Sequence, residues 1–351
     1  MRLTRATLLF VGTAAVALGC SSSNSAQRPK TSATPRTQPT PVRLWTKVTL
    51  GGVAQQILAR GDDATLPLLL WLHGGPGNSE IPLSHVYGPA LERHFIVVHW
   101  DQRGAGRSYA ASAPPRDMSV DRFVRDSKEL ALWLRQRFKS SRLFLLGHSW
   151  GTVVGALAAA RYPKLFDAYV AVAQVTNLVQ IGEAQRRLAF ERAKRQSNAA
   201  ASARFAKPAA KRPPSLPQLL ETMKLVASLG GNLYKQTGYG RFAQIMKASK
   251  HPLPPSARGA TLFSLKRLWS ELWRLDVSKD AKRFEMPVYL LIGRHDLQVP
   301  PPTVVAYAAS VAAPRKAVVW FDSSAHWPQL EQPRRFERVL VCKLLQKGCA
   351  R

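Results

Sequence analysis

Acidic residues are scarce in this chain. Of 351 residues only 21 are Asp or Glu, against 51 Lys and Arg, which leaves a formal charge of +30. Such a balance draws nucleic acid, anionic membrane or acidic polymers to a surface, and it says nothing about chemistry. Cysteine is scarcer still: three thiols are too few for a disulfide-built scaffold. No apolar run reaches the roughly 20 residues that a membrane-crossing helix needs. His85, His94 and His99 lack the short paired spacing of a zinc site, so no metal is expected, and the chain carries no nucleic-acid-binding motif. Apolar residues, by contrast, make up 46% of the chain, with nine Trp and thirteen Phe. That is enough for a sizeable core and excludes disorder throughout.

The N-terminus carries a compartment signal. Arg2 and Arg5 precede an uncharged stretch from Ala6 to Gly19, too short to span a bilayer but matched to a signal-peptide core. Cys20 follows Ala17-Leu18-Gly19, which resembles the bacterial lipoprotein cleavage box. The resemblance implies loss of residues 1–19, a lipid on Cys20 and a membrane-anchored lipoprotein of the bacterial cell envelope; removal of Arg2 and Arg5 lowers the charge from +30 to +28. Residues 20–42 are rich in Ser, Thr, Pro, Gln and Asn without apolar periodicity, and read as a flexible tether to a folded body that begins near Arg43.

From there short apolar runs alternate with helical patterns. Residues 68–72, 95–98, 143–146, 169–172, 288–292 and 318–321 are near-continuously apolar, as suits strands buried on both faces of a parallel sheet. Residues 119–138 carry Val120, Phe123, Val124, Leu130, Leu134 and Phe138 at helical spacing, with Ser119 and Asp121 as candidate caps, and residues 150–161 read as an Ala-rich helix. This βαβα order predicts an α/β fold with a mostly parallel central sheet. It breaks between residues 176 and 284, a helical stretch with 21 Lys and Arg against 6 Asp and Glu. The expected organisation is a core in two parts, 43–175 and 285–351, with a helical cap (176–284) inserted over the C-terminal edge of the sheet, where α/β proteins bind ligands.

The chemistry-bearing residues sit at strand ends. Gly147-His148-Ser149-Trp150-Gly151 follows one apolar run and opens the Ala-rich helix, the context in which Gly-x-Ser-x-Gly exposes a nucleophilic serine. A serine needs a base to take its proton and an acid to hold the base. Asp296 follows the run 288–292 and His326 follows the last run, so Ser149, Asp296 and His326 stand in the order nucleophile, acid, base. Asp322 is the rival acid, only four residues before His326. His73-Gly74-Gly75-Pro76-Gly77 follows the first run, and the N–H groups of Gly75 and Trp150 are the candidate oxyanion donors.

Together, His73-Gly-Gly-Pro-Gly77, Asp101-Gln-Arg-Gly-Ala-Gly-Arg-Ser108, Gly147-His-Ser-Trp-Gly151 and Gly293-Arg-His-Asp296 resemble the prolyl iminopeptidase family of α/β-hydrolases. The resemblance covers both parts of the core. It implies an α/β-hydrolase fold and a serine aminopeptidase that needs no cofactor and releases N-terminal residues such as proline from short peptides, with acidic residues near the cap holding the free amine. The candidates for that amine are Glu183 and Glu271; the Trp-Glu dipeptide expected in such a cap is missing. A carboxylesterase or lactonase, with a small ester as substrate, shares the same triad and stays open. Ser149 stands where epoxide hydrolases and haloalkane dehalogenases of this fold carry a carboxylate nucleophile, which argues against both.

A third possibility is that the charge itself is the function, through an anionic envelope polymer. The densest basic stretch, 186–212, has only Phe190 and Phe205 for base stacking, so nucleic acid is not expected as a partner. Cys342 and Cys349 flank the end of the last helical pattern, seven residues apart. An oxidising envelope would allow them to bond; two unpaired thiols fit the sequence equally.

Overall fold

The apolar runs become six consecutive strands of one eight-stranded sheet, the last of them at its edge. In this computed structural model, which describes residues 38–110, 112–208 and 213–349, the strands are β1 (Val42–Leu50), β2 (Val53–Gly61), β3 (Leu68–Leu72), β4 (Ile96–Trp100), β5 (Leu143–His148), β6 (Ala168–Val172), β7 (Val288–Gly293) and β8 (Lys316–Phe321). Cys20 and the signal-like stretch lie outside the described residues. The strand order is β1-β2-β4-β3-β5-β6-β7-β8. From β4 to β8 every neighbour is parallel, with Leu70 opposite both Val98 and Leu145. The hairpin β1–β2, which turns at Gly51-Gly52, pairs antiparallel with β4.

The parallel strands β3 to β7 are buried on both faces, and the period of two splits their side chains between two cores. Leu68, Leu70 and Leu72 pack with Phe123, Val124 and Val153, whereas Leu69 and Trp71 pack with Tyr87 and Phe336. The helices behind these contacts are α1 (Ser84–Glu92), α2 (Val120–Phe138) and α3 (Trp150–Arg161), followed by the inserted helices α4 (Leu178–Arg195), α5 (Ala199–Ala206), α6 (Leu216–Ser228), α7 (Gly240–Lys247), α8 (Ala260–Arg274) and α9 (Val277–Asp280), and then α10 (Pro301–Ser310), α11 (Pro328–Glu331) and α12 (Pro333–Leu345). Ser119 is the N-cap of α2, its side chain accepting from Arg122 N–H at 3.3 Å. Asp121 lies inside the first turn instead and pairs with Arg125 and Arg161.

The insertion leaves and re-enters the core at one place. Asn177 bridges to Asp276, Val277 N–H donates to Thr176 carbonyl at 3.0 Å, and Asn177 Oδ1 caps α4 through Val179 and Gln180 N–H. Facing the core, Ser264 on α8 donates to Gly104 carbonyl at 3.0 Å, and a Cβ on Gly77 would stand 2.7 Å from Ala260 carbonyl. These contacts tie both ends of the insertion and α8 to the core. Among the described residues no helix is long and apolar enough to cross a membrane. Cys342, near the end of α12, forms a disulfide with Cys349 just past that helix.

Candidate active site

Ser149 sits between β5 and α3 with φ +52° and ψ −119°, a left-handed backbone that L-residues rarely adopt. The glycines around it are required by space. A Cβ on Gly151 would meet Leu72 carbonyl at 2.1 Å, and one on Gly147 would meet Gly151 carbonyl at 2.4 Å. Ser149 N–H donates to Val172 carbonyl at 2.9 Å, so the turn is pinned to β6 as well.

Asp296 lies three residues past β7, 1% exposed. Its Oδ1 accepts from Gln298 and Val299 N–H at 2.7 and 2.9 Å, and its Oδ2 faces His326 Nδ1 at 2.8 Å. A carboxylate at Nδ1 keeps the proton there and leaves the lone pair on Nε2. The acid and base turns touch directly, because a Cβ on Gly293 would stand 1.7 Å from Ala325 carbonyl. Asp322, the rival acid, is out of reach: it is exposed and pairs with Arg294 at 2.6 Å, which lowers its carboxyl below the ordinary range.

Ser149, His326, Gly75 and Trp150 all line one cavity of about 470 Å³ between the strand ends and the inserted helices. Ser149 Oγ makes no hydrogen bond among the described residues, the looser geometry common before a substrate tightens the site. Trp150 opens α3, so its N–H has no partner inside the helix, and Gly75 is followed by Pro76, whose nitrogen has no hydrogen.

Neither candidate for the amine faces this cavity, and helix geometry explains both corrections. On α4 the lining residues Leu178, Ile181, Gly182, Gln185 and Arg186 follow the three-and-four spacing of one helix face; Glu183 falls off that stripe and is exposed. On α8 the stripe is Thr261, Leu265, Trp269, Leu272 and Trp273. Glu271 turns to α2, where both its oxygens accept from Val120 N–H at 3.0 and 3.2 Å. No Asp or Glu lines the cavity among the described residues; Arg186 and Arg204 do.

Sequence reasoning also missed a buried pair beside the nucleophile. His148 Nδ1 lies 2.6 Å from Glu80 Oε1, and His148 Nε2 donates to the carbonyl of His326 at 3.0 Å. Both ring nitrogens face oxygen atoms, so the ring is held between the Glu80 carboxyl and the His326 loop. Glu80 also accepts from Gly74 N–H at 2.8 Å and Trp71 Nε1 at 2.9 Å. Burial pushes its carboxyl up, but the charge and hydrogen bond of His148 and the Gly74 N–H outweigh this and hold it below the ordinary value. Glu80 thereby links the His73-Gly74-Gly75 turn, the nucleophile turn and the His326 loop. A second strap is Glu331, which accepts from Tyr234, Ala325 and Trp327 N–H, while the carbonyl of Asn232 accepts from His326 N–H at 3.0 Å.

The remaining motif, Asp101 to Ser108, serves the frame. Arg103 and Arg122 clamp buried Asp126 at 2.8 and 2.9 Å, joining the end of β4 to α2. Asp101 Oδ2 accepts from Arg107 N–H at 2.8 Å in a turn where a Cβ on Gly106 would come within 2.2 Å of that carboxylate.

Known proteins share this architecture. The Bacillus subtilis (strain 168) protein named "Probable aminopeptidase YbaC" is 29% identical over 307 residues, covering 85% of this chain and 95% of that protein. A Streptomyces coelicolor protein named a probable proline iminopeptidase is 40% identical over 115 residues, 32% of each chain. Among solved structures, the proline iminopeptidase-related protein of Thermus thermophilus superposes with a TM-score of 0.61 at 24% identity, covering 85% of this chain and 95% of that one, a likeness of fold. The model of the alpha/beta hydrolase fold family matches residues 67–333, from the strand before the Gly74-Gly75 turn through the His326 loop; the chain belongs to that family and is a hydrolytic enzyme.

Proposed function

We propose that the chain is a serine hydrolase working through an acyl-enzyme on Ser149. Ser149 Oγ attacks the substrate carbonyl carbon while His326 Nε2 takes its proton, and the N–H groups of Gly75 and Trp150 receive the oxyanion. His326 returns the proton to the leaving group, Asp296 holds the imidazolium, and water then releases the acyl group by the same steps. The observation that carries this reading is the 2.8 Å contact of Asp296 Oδ2 with His326 Nδ1, on the cavity that also holds the left-handed Ser149.

For the substrate, the first reading is a short peptide that loses its N-terminal residue, proline among the candidates. It is supported by the Bacillus relative, matched over 95% of its length and named an aminopeptidase. A second reading, a carboxylic ester or lactone, is favoured by a cavity lined, among the described residues, by Arg186 and Arg204 and by no Asp or Glu that could hold an ammonium group. Proline arylamide, its N-blocked form and a simple aryl ester decide between them. Preference for the free amine supports the aminopeptidase, and faster ester turnover indifferent to the amine supports the esterase. Ser149→Ala is expected to lower turnover of every accepted substrate by about 10³-fold or more; undiminished turnover would overturn the nucleophile.

A further inference from the structure

The cavity walls are largely apolar, and two arginines enter it beside neutral polar side chains such as Asn78, Gln185 and Gln298. Leu178 and Ile181 of α4, Phe205 of α5 and Trp269 of α8 supply apolar walls, and Arg186 and Arg204 reach the same space from α4 and α5. Both arginines are half-buried. Arg186 Nη1 donates only to Phe205 carbonyl at 3.5 Å, and Arg204 Nη2 only to Thr222 Oγ1 at 3.1 Å. Each guanidinium has five N–H donors, so most of that capacity is unspent. Among the described residues neither arginine is in an ion pair, although Arg103 and Arg122, both withdrawn from water, share Asp126. The undescribed residues 209–212 read Ala-Ala-Lys-Arg and add no carboxylate from the sequence. A cation held in an apolar cavity without a counter-charge is costly unless a ligand provides one.

We propose that Arg186 and Arg204 form a subsite for a carboxylate on the substrate, set apart from the scissile bond, so that the enzyme selects acyl compounds with an apolar body and one anionic end. This rests on the serine hydrolase reading of the same cavity. The forked guanidinium suits a carboxylate because it donates two parallel hydrogen bonds, and the apolar walls strengthen the attraction by excluding water. Two substrate sources carry this chemistry: the far carboxylate of a dicarboxylic half-ester, on the acyl side, and the free C-terminus of a dipeptide, on the leaving side.

The test pairs each source with a neutral partner: mono-p-nitrophenyl adipate against p-nitrophenyl hexanoate, and Pro-Leu against Pro-Leu-amide. The proposal expects at least one charged member to exceed its neutral partner about tenfold in kcat/KM, and the pair that does so identifies the source. Arg186→Gln and Arg204→Gln are expected to bring that ratio towards one, chiefly through KM, and Arg204→Lys to keep part of it. A ratio of one or below in both pairs, or a ratio that neither Gln variant moves, overturns the proposal. Failure of the hydrolase reading looks different: no turnover of any of the four compounds above the Ser149→Ala background. In that event binding of monomethyl adipate to Ser149→Ala, followed by calorimetry, still decides. Binding weakened tenfold by adding Arg204→Gln supports the subsite, and absent or unaltered binding refutes it.

Discussion

A turn of the helix of about 100° separates a residue that reaches the cavity from one that does not. Glu271 stands between Trp269 and Leu272, both in the lining, yet its carboxylate serves the first N–H of α2. Removing it with Glu271→Ala should cost about 1 kcal/mol, the usual worth of an N-terminal acceptor, and lower the melting temperature by about 2 °C. Turnover of free-amine substrates should be unaltered; a KM rise confined to those substrates would restore Glu271 as the amine anchor. The same geometry explains what was legible at this scale. Ser149, Asp296 and His326 each follow an apolar run, so their order along the chain already implied their meeting, and Asp296 and His326 do meet at 2.8 Å. Counting carboxylates in the insertion ignored which helix face each one occupies, and the lining stripe on α4, traced through Leu178, Ile181 and Gln185, leads to Arg186 and passes by Glu183. Glu80 and His148 were invisible because they are 68 residues apart and no local pattern joins them.

Between elements, the base loop is held from both sides by α11. Glu331, its last residue, accepts from Ala325 and Trp327 N–H on either side of His326 and from Tyr234 N–H of the inserted segment. Burial, with a smaller push from Asp296, raises its carboxyl from 4.5 to about 7 in spite of those donors. A carboxyl that holds its proton more tightly when folded adds stability that is complete below the unfolded value and lost as the pH climbs through about 7. The melting temperature of Glu331→Gln should therefore fall less than that of the wild type between pH 4.5 and 7, a comparison open to scanning calorimetry; parallel curves would refute it. Glu80, held below its ordinary value, acts in the opposite direction, adding stability above the unfolded value that is lost in acid. The parallel strands β3 to β7 could be read from sequence because strands covered on both faces must be apolar throughout. The hairpin β1–β2 could not. In β2 the buried positions begin with Gln55 and Gln56, satisfied by hydrogen bonds to Asp126 and to Thr46 carbonyl, and in β1 buried Val42, Val48 and Leu50 alternate with exposed Arg43, Lys47 and Thr49, so no long apolar run marks the hairpin.

Across the whole molecule the charge of +30 is uneven: the insertion over the active site holds 21 Lys and Arg against 6 Asp and Glu. An excess of this size gathers anions and repels cations over about one Debye length, roughly 10 Å at 0.1 M salt. The cavity mouth lies in that field, and within the cavity the charge is again positive, from Arg186 and Arg204. Long-range attraction and local recognition thus favour the same substrate sign, which the apolar walls and the triad by themselves do not specify. Salt separates the field from the chemistry, because it screens the first and leaves bond cleavage at Ser149 largely untouched. Raising salt from about 10 to about 300 mM should lower kcat/KM for the adipate half-ester by roughly threefold or more and leave the hexanoate ester nearly constant. A free-amine peptide without a carboxylate, such as Pro-Leu-amide, should instead be cleaved faster as its repulsion is screened. If all three substrates respond alike, the basic insertion has no part in selecting substrate; if only the amide gains, the field acts against the substrate and an aminopeptidase must work in spite of it.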